Sequence, residues 1–230
     1  MARGGAQIIP RPAGWRPGVA NPWHGRLGRD ELSFEHIERR LGDLAAGRIA
    51  ALTGPIMRPP VLMTHGQAAV LAPLFVGAAG ETRVLLTRRS ARLSTHSGEV
   101  AFPGGRVDLD ESLENAALRE AHEEIGLPPE AVRLVGQLEP LATRMSRAAI
   151  TPFVGFIHTL PALTPSPREV DRIFDVSLAE LIEPECYREE IWPFPDDVAG
   201  EFTVHVFEVE GDTIWGATGR MLHRLLSILL

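Results

Sequence analysis

Three glutamates, Glu120, Glu123 and Glu124, lie within five consecutive residues of the chain. In a helix each residue turns by about 100°, so Glu120 and Glu124 would lie one above the other with Glu123 beside them. Like charges on one helical face repel each other. A hard divalent cation such as Mg²⁺ or Mn²⁺ relieves that repulsion, because these cations prefer oxygen ligands. A solvated acidic face is the alternative that an isolated E-x-x-E-E run would favour.

Signals for the start and the end of a helix surround these glutamates. Asp110 or Ser112 can accept hydrogen bonds from the free N–H groups at a helix start. Gly126 can end the helix, because glycine tolerates the left-handed conformation found there. The sequence therefore predicts a helix between these points, docked on a core through a small apolar stripe formed by Leu113, Ala117 and Ala121.

The acidic run belongs to a longer pattern that extends from Gly105 to Leu127. A glycine is followed by five residues, Glu111, seven residues and then Arg-Glu-Ala-His-Glu-Glu-Ile-Gly-Leu. This stretch resembles the Nudix box, the signature of hydrolases that cleave a nucleoside diphosphate linked to another group. The resemblance implies an α/β/α sandwich with a mixed sheet, in which the box forms a loop–helix–loop that carries the metal ions.

A second spacing lies just upstream of the box and ends in Phe102-Pro103-Gly104-Gly105. It resembles the extra motif of the coenzyme A pyrophosphatases within the Nudix family. The chain keeps the positions Leu85, Leu86, Thr87, Arg89, Ser90, Gly98 and Phe102 to Gly105. It departs from the motif at Ser94, where the pattern has an arginine, the natural partner of a phosphate. Arg92 lies two residues away and is the candidate replacement.

The resemblance implies hydrolysis of a pyrophosphate bond assisted by Mg²⁺ or Mn²⁺. Glu120 and Glu124 are the first candidates for metal ligands, and Glu123 is the next. The carbonyl oxygen of Gly104 would complete the ligand set, because glycine allows the backbone to approach closely.

The attacking water needs a general base and a set of oriented carboxylates around it. Glu120 is one candidate base, and Glu169, outside the box, is the other. Arg119 is included in the catalytic set as a structural partner of Glu111 or as a residue that orients the other glutamates.

Substrate contacts are expected in the loop before the box. Arg89 is the predicted phosphate contact, although the arginines at positions 88, 89 and 92 would also fit a solvated strand end. His96 is either a structural hydrogen-bonding residue or part of the site. The predicted substrate-binding set is Arg89, Ser90, His96, Gly98, Phe102, Gly104 and Gly105.

Coenzyme A or acyl-CoA is the favoured substrate, cleaved to 3′,5′-ADP and 4′-phosphopantetheine or its acyl derivative. A Nudix pyrophosphatase of ADP-ribose, NADH or another nucleoside diphosphate derivative is the alternative enzyme. A non-catalytic Nudix binding or regulatory module is the alternative from a different class. Such modules usually lose box glutamates, and this chain has kept all of them.

Composition narrows the class of protein further. The chain has 230 residues and a net charge of −7, which argues against non-specific binding to nucleic acid. No apolar run reaches membrane-spanning length and no signal-peptide core appears, so a cytoplasmic protein that does not bind membranes is expected. Cys186 is the single cysteine, expected to be a free, packed thiol in a reducing compartment.

Residues 1–30 are predicted to form an arm, followed by one Nudix hydrolase domain over residues 31–230. The first 29 residues contain five arginines, six glycines, four prolines and no acid. The arm is expected to lie on the body of the protein or on a partner subunit in a homodimer. Within the domain, helices are expected at 33–47, 177–182 and 217–230, strands at 67–76, 82–88, 100–102, 132–138, 150–157 and 202–209, and a loop at 53–66.

Overall fold

The computed structural model describes residues 3–49, 66–142, 149–193 and 200–230. Its α-helices are α1 (Phe34–Ala45), α2 (Leu113–Ile125), α3 (Leu178–Leu181) and α4 (Gly216–Ser227). Its strands are β1 (Arg16–Pro17), β2 (Gln67–Val76), β3 (Thr82–Arg89), β4 (Val100–Ala101), β5 (Gly104–Arg106), β6 (Val132–Gln137), β7 (Leu141–Ala142), β8 (Ala149–Ile157), β9 (Val170–Ser177), β10 (Tyr187–Pro193), β11 (Glu201–Val209) and β12 (Asp212–Ile214). No helix among these residues is long and apolar enough to cross a membrane.

The larger sheet is mixed, as expected for the predicted fold. Its main path runs in the order β4-β3-β2-β8-β6, with β5 paired to β2, β7 to β8 and β9 to β3. Strands β2 and β8 are parallel, whereas the other pairs in this sheet are antiparallel. The residues Gly104–Arg106, at the start of the box, therefore lie directly beside the central strand β2.

Both faces of the larger sheet are buried, which explains the nearly continuous apolar run in β2. Alternate residues of a strand point to opposite faces. One face of β2 packs in the cluster that contains α2, through Ala69, Leu71 and Phe75. The other face packs in the cluster that contains α1 and α4, through Val70, Ala72 and Leu74. The predicted α/β/α arrangement of layers is confirmed.

The box helix begins and ends where local signals predict. Of the two candidate N-caps, Ser112 is the one used, and its Oγ accepts a hydrogen bond from the N–H of Asn115 at 3.2 Å. Gly126 has a φ of +69° and ends the helix. Ala117 and Ala121 are buried, so the predicted apolar stripe does dock α2 on the sheet.

The predicted strands and helices agree with the observed ones to within one or two residues at most ends, and α4 ends three residues early. Sequence patterns did not predict the eight-residue β9 or the short β5 and β7 of the larger sheet. They also did not predict β1, β10 or β12, which belong to a second sheet in the order β1-β10-β11-β12. The loop predicted over residues 53–66 lies, apart from Gly66, outside the described residues.

The N-terminal arm lies on this second sheet. Arg16 of β1 pairs with Ile191 of β10, and Arg3 forms a bridge with Glu210. Trp23 is fully buried in the same core cluster as α1 and α4. The predicted contact with the body of the protein is thereby confirmed. The domain boundary at residue 30 and the contact with a partner subunit stay predictions.

Cys186 is a buried free thiol, as expected. Burial raises its pKa to about 12, so the thiol stays protonated at neutral pH. A protonated, buried thiol is a poor nucleophile, and Cys186 acts as a packing residue.

Candidate active site

Glu124 is the most deeply buried carboxylate of the box, with 4% of the residue exposed. Its Oε2 accepts a hydrogen bond from the N–H of Gly104 at 3.1 Å, and its Oε1 lies 3.8 Å from Nη1 of Arg89. The pKa of Glu124 is raised to about 7, mainly by burial and also by the charges of Glu120 and Glu169, while the hydrogen bond from Gly104 and the charge of Arg89 oppose the rise. Glu124 is therefore a carboxylate for which a nearby positive charge would be strongly favourable.

Glu120 lies one helical turn earlier and is half-buried. Burial raises its pKa, and the charges of Glu123 and Glu169 act in the same direction, opposed by Arg119. A Cβ atom at Gly105 would come within 2.5 Å of the Glu120 carboxyl group. The glycine that opens the box therefore makes room for this carboxylate.

Arg119 holds the polar face of α2 together. It donates to both carboxylate oxygens of Glu111, at 2.9 and 3.0 Å, and to the carbonyl oxygen of Arg106 at 3.0 Å. Its Nη1 also donates to Glu120 and to Glu123, each at 3.1 Å. Arg119 therefore makes the contacts that both interpretations require, as a structural partner of Glu111 or as a residue that orients the other glutamates, and its part in catalysis stays a prediction.

Glu169 reaches the site because its segment is hydrogen-bonded to the box helix. The N–H of Ser166 donates to the carbonyl oxygen of Glu124 at 2.8 Å, and the N–H of Ser90 donates to that of Glu169 at 2.8 Å. These two bonds hold Glu169 between the end of β3 and α2. Its charge consequently acts on Glu120 and Glu124, although it is exposed and distant from them in sequence.

Arg89 and Arg88 lie next to each other in β3 but have different environments. Arg88 donates to Oδ1 and Oδ2 of the fully buried Asp212, both at 2.7 Å. Arg89 lies beside Glu124, and its buried Nε has no hydrogen-bond partner within the described ranges. Buried donors normally have partners, so this nitrogen is a candidate for contact with a ligand.

The remaining predicted substrate residues do not form one cluster. Ser90 is buried, while His96 is exposed and its Nδ1 lies 2.9 Å from Oε2 of Glu99. Gly98 ends the same loop with a φ of +70°. Phe102, by contrast, packs in the hydrophobic core on the face of the sheet opposite α2.

Gly104 is in a conformation that favours glycine, with a φ of +152°. A Cβ atom at this position would lie 2.4 Å from the carbonyl oxygen of Ala69. A side chain at this position would therefore push β5 away from β2. It would also displace the N–H of Gly104, which donates a hydrogen bond to Glu124.

The donor set fits a hard divalent cation in its chemistry. Within the part of the chain that the structure describes, no three His, Cys, Asp or Glu side chains already form a metal-binding group. Arg119 holds Glu120 and Glu123, and Gly104 holds Glu124. However, Glu120 and Glu124 are partly or largely buried carboxylates whose pKa values are raised by burial and by neighbouring negative charges, and a bound cation would lower these pKa values.

One network near the site was not predicted. The fully buried carboxylate of Asp212 accepts hydrogen bonds from Arg88 and from Gln7. Gln7 and Asp212 are 205 residues apart in sequence, so no local pattern could have paired them.

Comparison with known proteins agrees with the architecture. The NUDIX domain family model matches residues 66–201. Nudix hydrolase 15, mitochondrial, of Arabidopsis thaliana is 36% identical over 196 residues, which cover 80% of this chain and 67% of that protein. Nudix hydrolase 22, chloroplastic, of the same plant is 40% identical over 179 residues, 74% of this chain and 57% of that protein. A Pectobacterium atrosepticum protein described as uncharacterized Nudix hydrolase NudL is 37% identical over 175 residues, which cover 74% of this chain and 85% of that protein. The chain therefore belongs to the Nudix hydrolase family.

Proposed function

We propose that this Nudix hydrolase cleaves the pyrophosphate bond of coenzyme A or acyl-CoA, with Mg²⁺ or Mn²⁺ as cofactor. The products would be 3′,5′-ADP and 4′-phosphopantetheine or its acyl derivative. The observation that carries the proposal is Arg89, the arginine that the upstream motif keeps. Its Nη1 lies 3.8 Å from the box carboxylate Glu124, and its buried Nε has no hydrogen-bond partner among the described residues, so a substrate phosphate would give this guanidinium an acceptor.

Glu120 and Glu124 would hold the metal, with Glu123 as a further ligand and the carbonyl oxygen of Gly104 completing the set. When bound, the metal ion supplies positive charge that polarises the phosphorus and lowers the pKa of bound water. Glu123 is the most accessible of the three, since 56% of its side chain is exposed, and it would have to leave Arg119 to join the other two. Arg119 keeps Glu120 oriented through its bond to Oε1.

The water attacks phosphorus in line, the bond from phosphorus to the bridging oxygen breaks, and a carboxylate accepts the proton of the water. Glu169 and Glu120 are the two candidates for this base. Glu169 is exposed and makes no ion pair within the described residues, whereas Glu120 is already bonded to Arg119. Arg89 would donate to a phosphate oxygen and so stabilise the charge that develops there.

A second candidate function is hydrolysis of ADP-ribose, NADH or another nucleoside diphosphate derivative. Ser94 is the observation that favours it, because it replaces the motif arginine and lies exposed in the loop. A non-catalytic binding module is disfavoured, since Glu120, Glu123 and Glu124 are all present.

A product assay on a small panel of nucleotides separates these functions. The panel contains coenzyme A, acetyl-CoA, ADP-ribose and NADH, each incubated with Mg²⁺ and with Mn²⁺ and analysed by chromatography. We expect 3′,5′-ADP from the first two substrates at the highest kcat/KM. A higher kcat/KM on ADP-ribose or NADH would support the alternative substrates, and no turnover of any of them would contradict both enzymatic proposals.

Mg²⁺ or Mn²⁺ is expected to raise the melting temperature of the protein. A ligand at 100 times its Kd stabilises a folded protein by about 2.7 kcal/mol, provided that the unfolded chain does not bind it. The measurement is a melting curve with and without millimolar metal. The double variant Glu120→Gln, Glu124→Gln should lose this gain, whereas Glu114→Gln, an exposed glutamate in the first turn of the same helix, should keep it. An equal gain in the double variant would argue against the ligand assignment.

A further inference from the structure

The side chain of Gln7, in the N-terminal arm, is fully engaged in hydrogen bonds. Its Nε2 donates to the carbonyl oxygen of Gly98 at 3.2 Å and to Oδ1 of Asp212 at 2.7 Å. Its Oε1 accepts a hydrogen bond from the N–H of Thr213 at 2.9 Å. Because each amide atom faces a partner of the opposite kind, the orientation of this amide is determined.

Gly98 connects this amide to the candidate active site. It ends the loop of residues 90–98, which we call the substrate loop and which carries Arg92, Ser94 and His96. The N–H of Gly98 donates to the carbonyl oxygen of Arg89 at 3.2 Å, while its own carbonyl oxygen accepts from Gln7. The end of the loop is therefore held between the arm and the residue proposed to contact phosphate.

At its start, the substrate loop is held by the bond from the N–H of Ser90 to the carbonyl oxygen of Glu169, and the hydrogen bonds further along it are mostly local. Ser97 donates to the carbonyl oxygen of Ala91 at 3.0 Å, and His96 pairs with Glu99. Within the described ranges, residues 91–98 receive two hydrogen bonds from outside the β3–β4 connection: one joins Gly98 to Arg89 at the end of β3, and the other comes from Gln7 and is the one that reaches them from a distant segment. Most residues of the loop are exposed, so packing contributes little to its order.

The arm is fitted closely against the turn between β11 and β12. A Cβ atom at Gly5 would lie 2.5 Å from the carbonyl oxygen of Gly211, and the N–H of Gly5 donates to Oγ1 of Thr213 at 3.1 Å. Asp212, the acceptor for Gln7, also binds Arg88 of β3. Gln7 thus belongs to a network that joins the arm, β12, β3 and the substrate loop.

We propose that Gln7 is a positioning residue for the substrate loop and that it raises the affinity of the enzyme for its nucleotide substrate. This inference rests on the proposed function, because it assumes that the loop contacts a substrate phosphate. Without Gln7 the C-terminal end of the loop loses its hydrogen bond to the arm, and substrate binding must then include the free-energy cost of ordering the loop. Because Gln7 lies outside the carboxylate cluster, the chemical step should be largely unaffected.

The test compares Gln7→Ala with the wild-type protein by two measurements. Steady-state kinetics on the best substrate of the panel should show KM raised by about fivefold to tenfold, with kcat nearly unchanged. This is the factor expected for loss of the one hydrogen bond, to Gly98, by which Gln7 holds the loop. Hydrogen exchange of the free protein should be faster at the amides of residues 91–98. Gln7→Glu should raise KM further, because it keeps the acceptor for Thr213 but sets a carboxylate against Gly98 and Asp212.

Arg16→Ala is the matched control within the arm. Arg16 pairs with Glu201 at the surface, where 58% and 51% of their side chains are exposed, and it makes no contact with the substrate loop within the described residues. This variant should leave KM and the exchange of residues 91–98 unchanged.

Unchanged hydrogen exchange at residues 91–98 in Gln7→Ala would overturn the anchoring role. An equally large rise in the exchange rate throughout β1 and β10 would overturn it as well, because the effect would then not be specific to the loop. Faster loop exchange with unchanged KM would overturn the role in affinity. A wild-type protein that cleaves no nucleotide would contradict the proposed function instead, and the exchange experiment would still test the anchor.

Discussion

Glu124→Gln is expected to lower kcat by at least about 10²-fold while the protein stays folded, as for the loss of a key electrostatic group in an active site. The replacement has nearly the same shape. Its amide oxygen can still accept the hydrogen bond from Gly104, but the negative charge beside Arg89 is lost. Because the side chain is buried, water cannot replace that charge.

The measurement is kcat with saturating Mg²⁺, together with a melting curve for each variant. Glu114→Gln removes the same charge from an exposed position in the first turn of the same helix and should turn over like the wild type. Turnover of Glu124→Gln close to the wild-type value would show that this carboxylate is not a metal ligand.

Ser94→Arg is expected to lower KM for coenzyme A by about tenfold to a hundredfold. This change restores the arginine of the upstream motif, and a hydrogen bond to a charged group is worth about 1.5–3 kcal/mol. Ser94 is exposed in the substrate loop, so the longer side chain does not have to fit into the core. The KM for ADP-ribose should change much less.

A control variant and a control substrate are needed to interpret the effect of Ser94→Arg on KM. Thr95→Arg adds the same charge at the neighbouring exposed position and should produce little of the gain, which separates a specific contact from general electrostatic attraction. Dephospho-coenzyme A lacks the 3′-phosphate, so a gain that persists on it would assign the arginine to the pyrophosphate. No gain on any substrate would indicate that Arg92 already fills the role or that coenzyme A is not the substrate.

The box helix shows how much local sequence can decide. Its N-cap, its left-handed glycine end and its alanine stripe all follow from interactions within about four residues, and the structure has each of them where the sequence predicts. The same holds for β2, whose apolar run indicates a strand buried on both faces. The sequence also determined the family, because the spacing of the box is specific.

Contacts between distant segments were decided only by the tertiary structure. Arg88 and Arg89 look equivalent in the sequence, and it is Asp212, 124 residues after Arg88, that separates their environments. Phe102 belongs to the upstream motif, yet the direction of its side chain places it in the core.

The sequence by itself determined the class of chemistry, since the spacing of Glu120, Glu123 and Glu124 along a helix is a local property of the chain. Tertiary structure decided which carboxylates are buried and what surrounds them. Glu124 becomes buried because α2 docks on the sheet, and Glu169 approaches it because Ser166 binds the end of that helix. Gln7 reaches the substrate loop because the arm packs along β12, and that packing depends on contacts about 200 residues apart in sequence, which local periodicity does not encode.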